Sequence, residues 1–204
     1  MKKSKGGFTL VEVIVVLVVL SILAAILVPS MTGWIDEARK RQYIADARLV
    51  YLAAQSAVSE QYGLNHDDFV ERANEFPTGF DDSGSCGRVS TNMLQRVQKG
   101  NEVFRPDQEV DVAIATLVLQ YLDSEDKSTA RYKFENSKRP TSGQEVSKYH
   151  EGYKQPGIII LYNAKGEVIM VEFGYEDYLV HIDADGLVCT KGGSYSNDAA
   201  MNDK

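Results

Sequence analysis

The chain has 204 residues, room for one ordinary domain and an additional element. It is 44% apolar and 25% charged with five prolines, which excludes a disordered or collagen-like chain. Its formal net charge of -7 excludes general attraction of the whole chain to nucleic acid.

The first residues are Met1, Lys2, Lys3, Ser4, Lys5, Gly6 and Gly7. Three lysines ahead of an apolar run hold this end in the cytoplasm by the positive-inside rule. Phe8–Val28 follows, 21 residues with one charge, Glu12. As a helix this run is ~31 Å long, about the thickness of a bilayer's hydrocarbon core. An ordinary signal peptide would be cut after its apolar segment, at small residues. Here Pro29 comes quickly and the helical pattern continues past it, so the run is expected to stay in the mature chain.

Gly6, Gly7, Phe8, Thr9, Leu10, Val11 and Glu12 precede the body of that run. This stretch resembles the class III signal of type IV prepilins, a family that includes the type II secretion pseudopilins. The likeness is specific over residues 5–12 and extends through Pro29. Beyond about residue 62 it is architectural only. It implies cleavage between Gly7 and Phe8 by a membrane-embedded prepilin peptidase, and N-methylation of Phe8. Gly7 suits the cut because a residue without Cβ lets a protease approach the backbone.

Glu12 is expensive where it stands. A charge near the centre of a membrane helix costs ~2.5–3.5 kcal/mol on insertion scales, and less toward the end. In one reading it snorkels to the cytoplasmic interface. In the other it forms an assembly salt bridge with the new Phe8 amine of a neighbouring subunit.

Pro29 and Gly33 predict a bend between Val28 and Trp34. Helical spacing resumes from Ile35 to about Tyr62, with Gly63 as the stop. Two rows, Ala38, Ala45, Leu49, Leu52 and Ala47, Val50, Ala54, Ala57, together make a broad apolar band suited to a sheet. Arg39, Lys40 and Arg41 allow phosphate binding, although a solvated helix face pairing with acids of adjacent subunits accounts for them as well.

Residues 64–130 carry weaker signals. His66–Val70 opens a short helix, and Thr78–Arg88 reads as a loop. Asp107–Asp123 is an amphipathic helix with Asp107 as its cap. Glu135–Gln155 reads as a second loop. Then come β-rich runs at 157–162, 167–175, 178–182 and 187–189, separated by turns at Asn163–Gly166 and Asp183–Gly186. The tail from Gly192 to Lys204 is small and polar. The expected fold is α+β: a long N-terminal helix, membrane-spanning in its first half and bent at Pro29, packed on a C-terminal antiparallel β-meander. The expected divisions are a leader at 1–7, a transmembrane and filament-core helix at 8–28, an amphipathic continuation at 29–62 and an extracellular head at 63–204.

No nucleotide-loop, zincin or serine-hydrolase signature is present, and neither an enzyme nor a cofactor is expected. His66, His150 and His181 have no catalytic spacing; His181 reads as structural. Cys86 and Cys189 lack zinc-site spacing, and either form a disulfide outside the cell or remain separate thiols. Asp183 and Asp185 resemble the start of a calcium loop without its later ligands, so a plain hairpin turn competes with that reading. The eleven tyrosines raise base stacking. Loss of three leader lysines would leave 19 basic residues against 29 acidic, a net -10, and no nucleic-acid partner is expected.

The resemblance implies a structural subunit of a type IV pilus. It would be a single-pass protein of the inner or cytoplasmic membrane first, then part of an extracellular filament. Its implied partners are other pilins in a homo-polymer, the prepilin peptidase, an assembly ATPase and a platform membrane protein. The alternatives are a pseudopilin of a type II secretion or competence system, or a single-pass membrane-anchored ligand-binding protein.

Overall fold

The computed structural model describes residues 9–75, 86–100, 104, 108–126, 128–134 and 155–194, without the side chains of 29, 30, 32 and 72–75. The leader, Gly7 and Phe8 lie outside the described residues. So do Asp107, His150, most of the two expected loops and the tail beyond 194. The chain divides into two compact units, Met1–Arg41 and Gln42–Lys204.

The long helix α1 covers Leu10–Leu64, 55 residues. Its assignment passes through Pro29 and Gly33 without a break, and it ends one residue beyond Gly63. Within the first unit, Leu10–Val28 is long and apolar enough to cross a membrane, and none of it is buried. Ser21 turns its hydroxyl back onto the Leu17 carbonyl at 2.7 Å, so the run carries no bare donor there.

The second unit is built on a five-stranded antiparallel sheet in the order β1-β2-β3-β4-β5. The strands are β1 Gly87–Ser90, β2 Gly157–Tyr162, β3 Val168–Tyr175, β4 Tyr178–Asp183 and β5 Gly186–Lys191. β2–β5 are the expected meander. Its first turn is closed by Asn163, whose Oδ1 accepts from the amides of Lys165 at 2.9 Å and Glu167 at 3.1 Å. Gly166 has φ 76°, and an added Cβ would stand 2.7 Å from Cγ of Tyr62. A residue without a side chain therefore serves both the turn and its contact with α1.

Three helices complete this unit: α2 His66–Glu75, α3 Thr91–Gln98 and α4 Glu109–Tyr121. α2 and α4 fall where the spacing placed them, and Gln108 occupies the N-cap position of α4. β1 and α3 were not expected. Thr91, at the start of α3, clamps β2: its hydroxyl donates to the Ile158 carbonyl at 2.9 Å and accepts from the Ile158 amide at 2.6 Å.

The core forms where Tyr43, Ala47, Val50, Ala54 and Val58 of α1 join Ile158, Ile160, Val171, Phe173 and Val180 of the sheet. Small residues in this row let the helix lie close to the strands. The broad band expected on α1 is corrected here. Ala47, Val50, Ala54 and Ala57 are buried, whereas Ala38, Ala45, Leu49 and Leu52 are exposed. One helix presents about a third of its circumference to one sheet face, so only one row can be covered. Gln55 finishes the contact: its Nε2 donates to the Gly166 carbonyl at 3.0 Å and its Oε1 accepts from the Val168 amide at 2.9 Å.

The opposite sheet face carries Ile159, Leu161, Met170 and Leu179, also buried. Burial on both faces explains why β2 is an unbroken apolar run rather than an alternating one.

The disulfide considered for Cys86 and Cys189 is also corrected. Cys86 sits against β1 and Cys189 lies on β5, at opposite edges of the sheet. Four strand spacings amount to ~19 Å, far beyond the reach of one S–S bond. The two thiols are not joined to each other.

Candidate functional site

The N-terminal end of α1 is where the sequence concentrates unusual chemistry, and its geometry is a capping box. Glu12 Oε2 accepts from the Thr9 amide at 2.8 Å and from the Thr9 hydroxyl at 2.7 Å. The Thr9 hydroxyl oxygen in turn accepts from the Glu12 amide at 3.3 Å. Thr9 is thus the cap residue and Glu12 the third residue of the helix, each satisfying a backbone donor that no helix carbonyl can reach. A carboxylate here also faces the positive end of the helix dipole. Among the described residues Glu12 accepts through Oε2, and Oε1 has no hydrogen-bond partner there. The same carboxylate can therefore hold its own helix start and still receive a second donor.

Thr9 was missed as a functional residue in the sequence reading. Its signal was present, since Thr9 and Glu12 stand in the Thr-x-x-Glu spacing just ahead of an apolar run.

This end leads into Leu10–Val28, a stretch of α1 of which nothing is buried among the described residues. Exposure of the large apolar residues runs from 47% at Val13 to 75% at Leu10, and Ile26, Leu27 and Val28 are each more than half uncovered. So much contiguous apolar surface demands lipid or other helices around it.

The remaining sequence candidates are dispersed. Asp183 Oδ1 accepts from the amides of Asp185 at 2.8 Å and Gly186 at 3.2 Å, which is hairpin-turn chemistry. Its Oδ2 faces His181 Nε2 at 2.8 Å, so the carboxylate that the calcium reading required is engaged within the hairpin. No cluster suited to a metal ion occurs among the described residues. His181 Nδ1 meets Oε1 of buried Glu172 at 3.2 Å. The Glu172 bond, against desolvation and with help from Asp183, pushes the imidazole up to about 9. The His181 bond holds the Asp183 carboxyl below its usual range. His181 is therefore a cation linking two acids across β3 and β4, a structural tie on a sheet face.

Two comparisons with known proteins found matches. Residues 2–28 match the family model described as the prokaryotic N-terminal methylation motif. The chain is similar to the type II secretion system core protein G of Klebsiella michiganensis, with 34% identity over 68 residues. That alignment takes in 33% of this chain and 44% of the relative, so the chain spans less than half of the relative's length. No solved structure matches the chain. Both comparisons agree with the pilin and pseudopilin resemblance carried by residues 5–12.

Proposed function

We propose that this chain is a structural, non-enzymatic subunit of a type IV pilus. It is made as a membrane-anchored precursor and cut between Gly7 and Phe8. It is then methylated on Phe8 and polymerised through its N-terminal helix, with Pro29 as the place where that helix bends. The observation that carries this reading is Glu12, the one charge between Phe8 and Val28, inside a matched methylation motif.

The chemistry follows from charge. Cleavage creates a basic amine on Phe8, and methylation keeps it basic. If Glu12 of one subunit meets the Phe8 amine of the next, the attraction is ~4 kcal/mol at 4 Å and an effective dielectric of 20, before desolvation. A mispaired subunit leaves a buried charge uncompensated, which costs more than the pair contributes. Glu12 thereby sets the register of assembly. Lipid offers helices little hydrophobic reason to associate, so a polar contact of this kind gives the bundle its specificity. Extraction and stacking call on an assembly ATPase and a platform membrane protein, and the finished filament stands on the cell surface.

The test is N-terminal sequencing and mass analysis of membrane-extracted protein, with electron microscopy of sheared filaments. Methylated Phe8 and antibody-decorated filaments are expected. A chain that keeps Met1 in cells possessing the peptidase overturns the reading.

Similarity to a type II secretion system core protein favours a second reading, a pseudopilin of a secretion system. Deleting the gene separates the two. Loss of surface filaments with normal secretion supports the pilus, and loss of secretion without loss of surface filaments supports the pseudopilus.

A further inference from the structure

Val13–Ile35 is a run of 23 residues without a charge, bounded by Glu12 and Asp36. It is helical throughout. At ~1.5 Å per residue it measures ~35 Å, the hydrocarbon core plus part of one interfacial layer. With Glu12 at the cytoplasmic boundary, Trp34 and Ile35 arrive at the outer one. Among the described residues they are left open: Met31 is 60% exposed, Trp34 82% and Ile35 51%. An uncovered tryptophan at the end of an apolar span is the residue type that settles among lipid headgroups.

Arg39, Lys40 and Arg41 begin one turn further on. They lie ~6–9 Å past Ile35 along the helix, about the depth of the headgroup layer. Arg41 Nε lies 3.1 Å from Glu37 Oε1, with both side chains more than half exposed. Such a pair is weak in water and leaves the guanidinium open to a second anion. With Asp36 and Glu37 counted, the turn keeps one net positive charge. Once Lys2, Lys3 and Lys5 leave with the leader, it is the cationic cluster next to the apolar run.

We propose that Trp34–Arg41 is a binding site for anionic phospholipid headgroups on the outer face of the membrane, with Trp34 in the interface and Arg39, Lys40 and Arg41 on the phosphates. The site holds the subunit upright in the bilayer until it is extracted into a filament. This inference rests on the membrane-anchored reading above.

Trp34 is the one tryptophan in the chain, so its fluorescence reports on this site alone. The full-length chain is reconstituted into phosphatidylcholine vesicles carrying a trace of dansyl-labelled phosphatidylglycerol or dansyl-labelled phosphatidylcholine. One net charge near the surface predicts about fivefold enrichment of the anionic label around Trp34 at low salt, read by energy transfer. The enrichment falls as salt is added. The R39Q/K40Q/R41Q variant should lose the preference yet still float with the vesicles, and R39K/R41K should keep it. Equal transfer from both labels, or a preference that survives in the triple glutamine variant, overturns the headgroup site and leaves the anchor standing. If the triple glutamine variant loses filaments while the wild-type chain shows no lipid preference, the cations serve acids of a neighbouring subunit and the headgroup site is wrong. A wild-type chain that does not float overturns the membrane anchor and this site together.

Discussion

The ring of Tyr162 occupies the space that a side chain on Gly87 would need. The two residues are direct partners across β1 and β2, and a Cβ added at Gly87 would overlap the ring at Cζ. The ring cannot swing aside. Tyr162 is fully buried, and its hydroxyl donates to Asp111, whose Oδ1 also accepts from the Arg88 amide at 3.1 Å. Gly87→Ala should therefore destabilise the fold by about 1–3 kcal/mol, the usual range for overpacking. Thermal unfolding in detergent measures this, and an unchanged midpoint would contradict the geometry.

Gln98 ties three backbone groups together. Its Nε2 donates to the carbonyls of Ser124 at 2.6 Å and Tyr132 at 2.9 Å, and its Oε1 accepts from the Phe134 amide at 3.0 Å. Gln98→Ala strands all three in a buried place, and a loss of about 3 kcal/mol is expected. Gln98→Glu keeps the shape and one acceptor but removes both donors, so it should also destabilise. A Gln98→Glu chain as stable as the wild type would show that the donors contribute nothing.

Glu12→Ala should leave membrane insertion intact and abolish filaments. Normal filaments from that variant would sink the pairing with Phe8. Thr9→Val isolates the capping box: it removes the hydroxyl that bonds Glu12 and should weaken the helix start by about 1 kcal/mol. Amide exchange over the first turn of α1 reads this directly, and unaltered protection there would remove the role given to the Thr9 hydroxyl.

The Glu172, His181 and Asp183 cluster makes stability depend on pH. The folded-state pKa of His181 is raised to about 9 from its ordinary value of 6.5. Its contribution is therefore complete below about 6.5 and disappears as pH rises through 9. At face value the shift is worth ~3 kcal/mol, and screening of the partly exposed ring reduces that to about 1–2 kcal/mol. Asp183 works in the opposite sense: its stabilisation is present above its ordinary carboxylate range and fades as pH falls. His181→Gln should flatten the alkaline side of the stability curve, measured by urea unfolding across the range. An alkaline slope identical to that of the wild type would show that His181 is not the titrating group.

The parts of this fold that were legible in the sequence are those whose signals are local. The meander announced itself through Asn163–Gly166 and Asp183–Gly186, turns that close on their own side chains between β-branched runs. α4 was legible because Val110, Ile114 and Val118 mark one face. β1 was not, because Gly87–Ser90 offers one large apolar residue and its partner strand begins at Gly157. α3 was hidden by its inward glutamines, since Gln95 and Gln98 are buried and break the apolar period. The two rows of α1 were equally apolar on paper, and only the sheet decides which is covered. At the candidate site, Glu12 stood out as a charge in an apolar run, whereas Thr9 reads as an ordinary polar neighbour until its bonds to Glu12 are seen.

α1 rests on strands that the ribosome makes long after it. Ala47, Val50 and Ala54 precede Ile158, Val171 and Val180 by roughly a hundred residues or more. While the chain is being made, this row of the helix emerges before the strands that cover it. Contacts between segments so far apart are slow to form. The end of the chain must therefore be made before this stretch of α1 can be covered, and until then its apolar row is open to other surfaces.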